Sequence, residues 1–593
     1  MNAFDYYTEL YLAVVRGQQQ RIETSIKECA TIFYCSERNA KLIIHKMEDL
    51  HWIRWISGLG RGNKSHIVFL KTLDALVDKQ VSTFISAGQL DKALNYIQSH
   101  ALPEGLSKQC YERIKQEFGY KVETENQLEL DILRIPMRRT LATLDPAYAA
   151  ITSESHISRQ LFDCLVNYNV STNKFVPHIA HSWVVTLDKK VWTFYLRRGI
   201  LFHHGKELTA QDVLFSFERI CDDENQIPCR WYFRALQKIS VVHPYVITFT
   251  FSEPTPLLLY LSSLNLAILA SDIGFNPKRI IGTGAFRIVK YNRQQLVLER
   301  FADYFRERAL LNRIELYYAP NLISGQKVYD VSNTQPCAAK NEQVYEENGS
   351  GYIMFNFRKQ GPQHDPWLRK AISMLIDRNA MIQKLRGNRY QPSNSFLPSE
   401  SRKNPPVMEQ EQQIFQALKK SSYHGETLKF YHFNHDAVLH DASWIKNRAE
   451  RVGITFELLP LSLEKFYDAN LVHDADLVLG GEVLEENIEL GINHLFRDQS
   501  SLVRRMLDTE QTKKIDQFMD DYIQKDCREE RMSVFREVEN YLREEKILIY
   551  LYHSKREITF HAALAGIKLN AFGWADFSKL WIKPNLSTEK KQN

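Results

Sequence analysis

The stretch from Trp192 to Arg219, WTFYLRRGILFHHGKELTAQDVLFSFER, restricts this chain more than any other part of it. Apolar and polar side chains alternate from Trp192 to Leu196, with Tyr195 able to present a polar tip, which is the period of a half-covered sheet strand. Gly199 and Gly205 then punctuate a short turned loop. Thr209, followed by Asp212, predicts a capped helix start, and Val213, Leu214, Phe217 and Ile220 fall on one face of the helix beyond it. A strand, two turns and an amphipathic helix in so short a span predict a sheet covered by helices, an α/β arrangement.

With 593 residues the chain has material for two or three domains. Lys and Arg number 76 against 71 Asp and Glu, too small an excess to hold a polyanion by net charge, so any nucleic-acid site has to be local. No run of roughly 18 apolar residues offers a membrane span. The opening segment MNAFDYYTELYLAVVRGQQQ carries Asp5 and Glu9 where a secretory leader has basic residues, so the expectation is a cytoplasmic protein with no membrane partner. Eight cysteines without a C-x-x-C pair read as reduced thiols, and neither a metal nor a cofactor is expected.

Between Ser25 and Phe69 the pattern is compact. Ser25 and Glu28 form a capping box ahead of the apolar stripe Ile26, Cys29, Ala30, Phe33. After the turn Tyr34-Cys35-Ser36, the residues Ala40, Ile43, Ile44, Met47 and Leu50 recur at helical spacing, leaving Arg38, Asn39, Lys41 and His45 outward. Trp52–Ile56, a glycine-rich turn with Arg61 and Lys64, and Ile67–Leu70 read as a basic-tipped hairpin. The order predicts a winged helix-turn-helix of α+β class, whose second helix fits the major groove of double-stranded DNA while cations on its flanks meet phosphates. Ser36, Arg38, Asn39, Lys41, Arg61 and Lys64 are the candidate DNA contacts; a protein-binding module or a merely solvated charged helix is the alternative.

Asp74 to Tyr120 reads as a helical connector, and a domain boundary is expected near the polar stretch Lys121–Asn126. The expected division is a DNA-binding unit with connector over 1–120 and a two-lobed domain over 121–593. Lobe one would span about 125–340 and 553–585 and lobe two about 350–550, the latter with a mainly parallel sheet. Crossings near Asn356 and His553 would make a hinge and a cleft.

Leu196-Arg197-Arg198-Gly199-Ile200, Phe202, Gly205, Leu208–Val213 and Ser216–Arg219 resemble the signature of the extracytoplasmic peptide-binding proteins that serve transporters, and Gly282–Arg287 resembles a further part of that pattern. With the winged helix in front and the closing Gly566-Ile567, Asn570, Gly573-Trp574, Asp576-Phe577 and Trp581, the whole order resembles the SgrR family of bacterial transcriptional regulators. That resemblance implies a winged helix-turn-helix followed by a periplasmic-binding-protein-like (type II) domain of solute-binding family 5. It implies a DNA-binding regulator sensing a small molecule, with a sugar phosphate or related metabolite as candidate ligand. A solute-binding protein serving a transporter, or an interaction module with an empty cleft, are the alternatives.

Transporter-type relatives carry a tryptophan followed by acidic residues where this chain reads Leu479-Gly480-Gly481-Glu482-Val483, with no tryptophan or aspartate, which puts a free peptide in doubt. Asn356, Phe357, Arg358, Glu482 and Trp574 are the candidate ligand contacts, Arg358 being suited to an anion through charge-assisted hydrogen bonds. The glycines of Gly282-Thr283-Gly284 suggest a phosphate loop but lack the Lys-Ser/Thr and following helix. His203-His204 with Glu207 form no complete metal set, and Glu485-Glu486 have no evident acid-base partner, so no catalytic residue is expected.

Overall fold

The computed structural model describes residues 3–15, 21–58, 65–100, 102–148, 152–225, 227–263, 266–323, 340–403, 411–462, 465–466, 468, 470–525, 527–561 and 564–583. The N-terminal unit runs α1 (Ala3–Val14), β1 (Arg21–Thr24), α2 (Ile26–Ile32), α3 (Glu37–Asp49), β2 (Ile53–Ile56) and β3 (Ser65–Phe69). Local caps set its helices. The Ser25 hydroxyl accepts the Glu28 amide at 3.2 Å while the Glu28 carboxylate accepts the Ser25 amide at 2.8 Å. The wing has three strands in the order β1-β3-β2, one more than the sequence pattern offered. The added strand, Arg-Ile-Glu-Thr, is too short to announce itself and exists through pairing with β3.

Helices α4 (Leu73–Ser86), α5 (Leu90–Ser99) and α6 (Glu104–Lys115) form the connector. Val77, Val81, Leu94, Ile97 and Ile114 belong to the same buried cluster as Tyr7, Phe33, Ile44 and Met47, so winged unit and connector share one core. The Tyr7 hydroxyl donates to Lys71 O at 2.6 Å, and His100 Nε2 lies 3.0 Å from the Asp5 carboxylate, tying α1 to both ends of the connector's first two helices.

The chain then turns at Gly119, at φ +89°, directly into β4 (Gly119–Glu125), which pairs antiparallel with β5 (Leu128–Met137). The polar stretch around Lys121–Asn126 is thus an edge strand and its hairpin turn: it is polar because its outer edge meets water. Lobe one contains a five-stranded sheet in the order Phe286–Tyr291, Gln295–Arg300, Arg313–Tyr318, β5, β4. A second, four-stranded sheet contains Val191–Leu196, where Trp192, Phe194 and Leu196 are buried and their neighbours half-buried. Gly199 and Gly205 adopt φ of +73° and +91°, and the Asp212 carboxylate accepts the Thr209 amide at 2.8 Å to start the helix Ala210–Cys221.

Lobe two has a sheet in the order Thr455–Leu461, Thr427–Phe433, Leu477–Val483, Gly349–Phe355, Leu548–Tyr550. The first three run parallel, whereas Gly349–Phe355 is antiparallel to both of its neighbours, so the sheet is mixed rather than mainly parallel. Strands linked through helices run parallel; the antiparallel one enters from the lobe crossing. That crossing is a ribbon in which Lys340–Glu346 pairs with Tyr552–His561. His553 stands at its lobe-two end, but Asn356 lies beyond it, inside lobe two. Leu564, Trp574, Phe577 and Leu580 return the chain to the lobe-one core with Leu133, Ile157 and Phe286.

Two close fits shape lobe one, one where the N-terminal unit seats on it and one inside it. Tyr317, Ala319 and Leu322 enter the core of the N-terminal unit, where Phe118 meets Tyr317 edge-on at 5.6 Å. Beneath them Arg134, 5% exposed, donates from Nε to Glu315 at 2.7 Å and from Nη2 to Glu123, while the Tyr317 hydroxyl donates to Glu315 at 2.9 Å. Elsewhere the Gly282–Gly284 loop lies against the end of α7 (Thr152–Leu161), with the Gly284 amide donating to Leu161 O at 2.9 Å. A methyl group on Gly284 would stand 2.4 Å from Gln160 O, and one on Gly282 2.0 Å from Leu161 O. These glycines serve close backbone packing, and no phosphate-cradling helix start follows them: the next element is the strand Phe286–Tyr291.

Arg134→Met leaves Glu315 buried without its hydrogen-bonded cation, only Arg313 among the described residues remaining at 3.9 Å, and is expected to cost about 3–5 kcal/mol in denaturant unfolding, with much of that recovered in the double variant Arg134→Met/Glu315→Leu. Gly284→Ala should cost about 1–3 kcal/mol through overpacking.

Candidate functional sites: an exposed helix start and an interlobe cavity

On α3 the core takes Ala40, Ile43, Ile44 and Met47, a spacing that turns Arg38, Lys41, Leu42, His45 and Lys46 to solvent. Tyr34, at φ +51°, closes the turn that sets α2 and α3 at an angle. The Ser36 oxygen accepts the Asn39 amide at 3.3 Å as the helix cap, leaving its O–H able to donate. Arg38, Asn39 and Lys41 are exposed on the first turns, where the helix dipole adds positive potential. Among the described residues neither Arg38 nor Lys41 is held in an ion pair. Arg54 adds a cation on the exposed face of β2, while Arg61 and Lys64 lie outside the described residues. Four of the six candidate contacts therefore share one exposed helix start.

A cavity of about 350 Å³ lies between the lobes. From lobe one, α7 contributes His156, Arg159 and Gln160, and the following residues bring Asp163 and His178; lobe two contributes Glu486 and Asn487; the closing segment contributes Trp574. The lobes are in contact around it. Arg159 donates to Glu485 at 2.9 Å, Tyr260 donates to Glu489 at 2.7 Å, and Leu490 enters the lobe-one core.

The cavity's chemistry is unfinished by the protein. His156 Nε2, Arg159 Nε, Gln160 Oε1, His178 Nδ1 and Asn487 Nδ2 are buried without a partner among the described residues, and all five belong to residues lining this cavity. Burying such atoms unpaired is costly, so their convergence marks a place for polar groups from outside the chain. His156, stacked on Trp574 at 4.6 Å, is held neutral: burial, then the Arg159 charge, depresses its pKa to about 3. Burial raises the Glu486 carboxyl against the opposing pull of Arg159, with Glu485 and Asp576 adding like charge. Asp163 is saturated by the His178 ring at 2.7 Å, Thr283 at 2.8 Å and Tyr304 at 3.1 Å, linking the cavity wall to the glycine loop. A wider cavity of about 630 Å³ opens where Gln98 of α5 meets Tyr291–Leu296, but none of the unpaired buried atoms lines it.

The five ligand candidates read from sequence separate in space. Trp574 lines the interlobe cavity. Asn356 is fully buried with its amide donating to Val472 O at 2.7 Å and Ala475 O at 2.8 Å, Phe357 is core, and Arg358 spends its Nε–H on Leu507 O at 3.0 Å. These three finish a lobe-two strand rather than face the cavity. Glu482 stands off the cavity wall; burial, with Glu485 and Asp498 nearby, pushes its carboxyl up to about 7. Glu485, without an evident partner in sequence, pairs with Arg159 from the other lobe. His203 is a packing residue: its Nδ1 accepts the Gly282 amide at 3.2 Å and its Nε2 donates to Gly284 O at 3.0 Å. Among the described residues no three His, Cys, Asp or Glu stand together as a metal set, no helix is long and apolar enough to cross a membrane, and seven cysteines are free thiols. Cys337 lies outside the described residues.

The description of bacterial extracellular solute-binding proteins, family 5 (middle) matches residues 174–484, more than half of the chain, and that of the sugar transport-related sRNA regulator N-terminus matches residues 3–119. An uncharacterized protein YhjP of Bacillus subtilis is 29% identical over 587 residues, covering 98% of this chain and 100% of that one. The HTH-type transcriptional regulator SgrR of Pectobacterium atrosepticum is 25% identical over 582 residues, covering 96% of each. Among solved structures, the periplasmic binding protein DppA from Helicobacter pylori in complex with the peptide STSA is similar with a TM-score of 0.65 and 18% identity, over 76% of this chain and 98% of that one. The oligopeptide-binding protein AppA from Bacillus subtilis with a nonapeptide is similar with a TM-score of 0.65 and 16% identity, over 76% and 99%. These likenesses show the two-lobed fold. The chain belongs to solute-binding protein family 5 and, with the regulator-type domain in front of it, to the SgrR family of regulators.

Proposed function

We propose that this chain is a cytoplasmic DNA-binding transcriptional regulator, not an enzyme, in which α3 reads the major groove and the interlobe cavity senses a small solute. The observation that carries the reading is the shared sheet: α7 lines the cavity and packs on the strand Phe286–Tyr291, and the strand Arg313–Tyr318 of the same sheet carries Tyr317, with Ala319 just after it, into the core of the N-terminal unit. A solute that favours one lobe arrangement has a rigid route to the DNA-reading unit, by its differential affinity for the two states.

The lining supports a compact neutral or zwitterionic polar solute over a dianionic sugar phosphate. Asp163, Glu486 and Asp576 face the cavity against Arg159 and Lys568, and Arg159 is already matched by Glu485. Arg358, the sequence's anion candidate, is elsewhere. Glu486 supplies at the cavity the acidic group that Glu482, off the wall, does not, which keeps an amine-bearing ligand in play.

Two measurements test this. Duplex binding should fall steeply with salt; Arg38→Ala should cost about 1–3 kcal/mol and relax preference at one base pair, while Lys41→Ala should weaken all sequences alike and lower the salt slope by about 1. Full affinity in both variants would remove α3 as the reader. In a solute panel, a ligand at a hundred times its dissociation constant should add about 2.7 kcal/mol of thermal stability, and Asn487→Ala should abolish that gain without lowering the unliganded melting temperature by a comparable amount. A stabilising solute whose effect survives Asn487→Ala and Glu486→Gln would place the site elsewhere.

A further inference from the structure

The outward stripe of α3 contains a residue that sequence reasoning passed over. Arg38, Leu42 and His45 follow one another at helical spacing opposite the buried stripe Ala40, Ile43, Ile44, Met47, which puts Leu42 at the centre of the exposed face. Its side chain is 62% exposed, flanked by the cations Arg38, Lys41 and Lys46, and His45 is drawn toward Glu48 at 3.4 Å, leaving Leu42 uncovered. A large apolar side chain in the middle of a cationic face is unfavourable in water and has one complement in the major groove. The C5-methyl of thymine is the apolar feature of a base edge there, read by contact rather than by hydrogen bonding.

We infer that Leu42 is a specificity-determining residue that packs on a thymine methyl group, one helical turn deeper into the site than the base contacted by Arg38. This rests on the DNA-reading role of α3. It makes the binding site's preference partly apolar: the discrimination comes from a methyl group, so it is insensitive to salt, unlike the phosphate contacts around it.

The test uses the full-length chain and the duplex it selects from fragments of its own genome, with each thymine replaced in turn by deoxyuridine, which removes only the methyl. The wild-type chain should lose about fourfold in affinity at one thymine per bound unit, the effect of burying one methyl group, at both low and high salt. Leu42→Ala should bind the thymine and uracil duplexes equally, with an unchanged melting temperature, and Leu42→Met should restore the preference. Sequence-specific binding by the wild type that is indifferent to every uracil, or a Leu42→Ala variant that still discriminates at that thymine, overturns the inference alone. A chain that retains no duplex overturns the regulator reading and this inference with it.

Discussion

The contact on which the molecule depends is the one between Arg134 and Glu315, roofed by Phe118 and Tyr317. A guanidinium and a carboxylate taken out of water together are stable only while their geometry is kept, because either one left alone pays the full desolvation cost. Glu123 and the Tyr317 hydroxyl complete the arrangement, and all of its members lie on strands that meet the connector. The contact therefore fixes the part of the lobe-one sheet on which the N-terminal unit seats, and the apolar cluster that takes in Tyr317, Ala319 and Leu322 supplies the adhesion. No polar linker intervenes: the chain leaves α6, turns at Gly119 and is already in the sheet.

What could be read without coordinates was what is written locally. The capping boxes at Ser25–Glu28 and Thr209–Asp212, the alternation of Trp192 to Leu196 and the apolar stripe of α3 each lie within a few residues, and each formed as the pattern indicated except at Leu50, which caps the end of α3 and is exposed. Elements made by distant pairing were not legible. The strand at Arg21–Thr24 has no pattern of its own, the direction of Gly349–Phe355 depends on how the chain crosses between lobes, and the polar residues of Gly119–Glu125 gave no sign that they pair with β5 as an edge strand.

The cavity was the least legible part, since its wall is assembled from α7, the residues after it, the loop before Ile488 and the closing segment. Trp574 was found through resemblance, whereas Arg159 carried no local sign that its partner is Glu485, 326 positions away. Arg358 misled for the opposite reason. A cation beside a strand end looks like an anion site, but Arg358 turns its Nε–H to the Leu507 carbonyl within lobe two and does not line the cavity. Buried neutral histidine, unpaired amide and paired arginine together line the cavity with hydrogen-bonding groups more than with free charge.

The absence of slack between α6 and β4 has a thermodynamic consequence that runs both ways. A free energy that a solute in the cavity contributes to the grip of α3 is returned in full when α3 is engaged, because coupling between two equilibria has no preferred direction. Under the proposed coupling, operator DNA would be an effector of the cavity in the same measure that the solute is an effector of transcription, and the occupancy of each copy of the protein would differ according to whether it is on its promoter or free in solution.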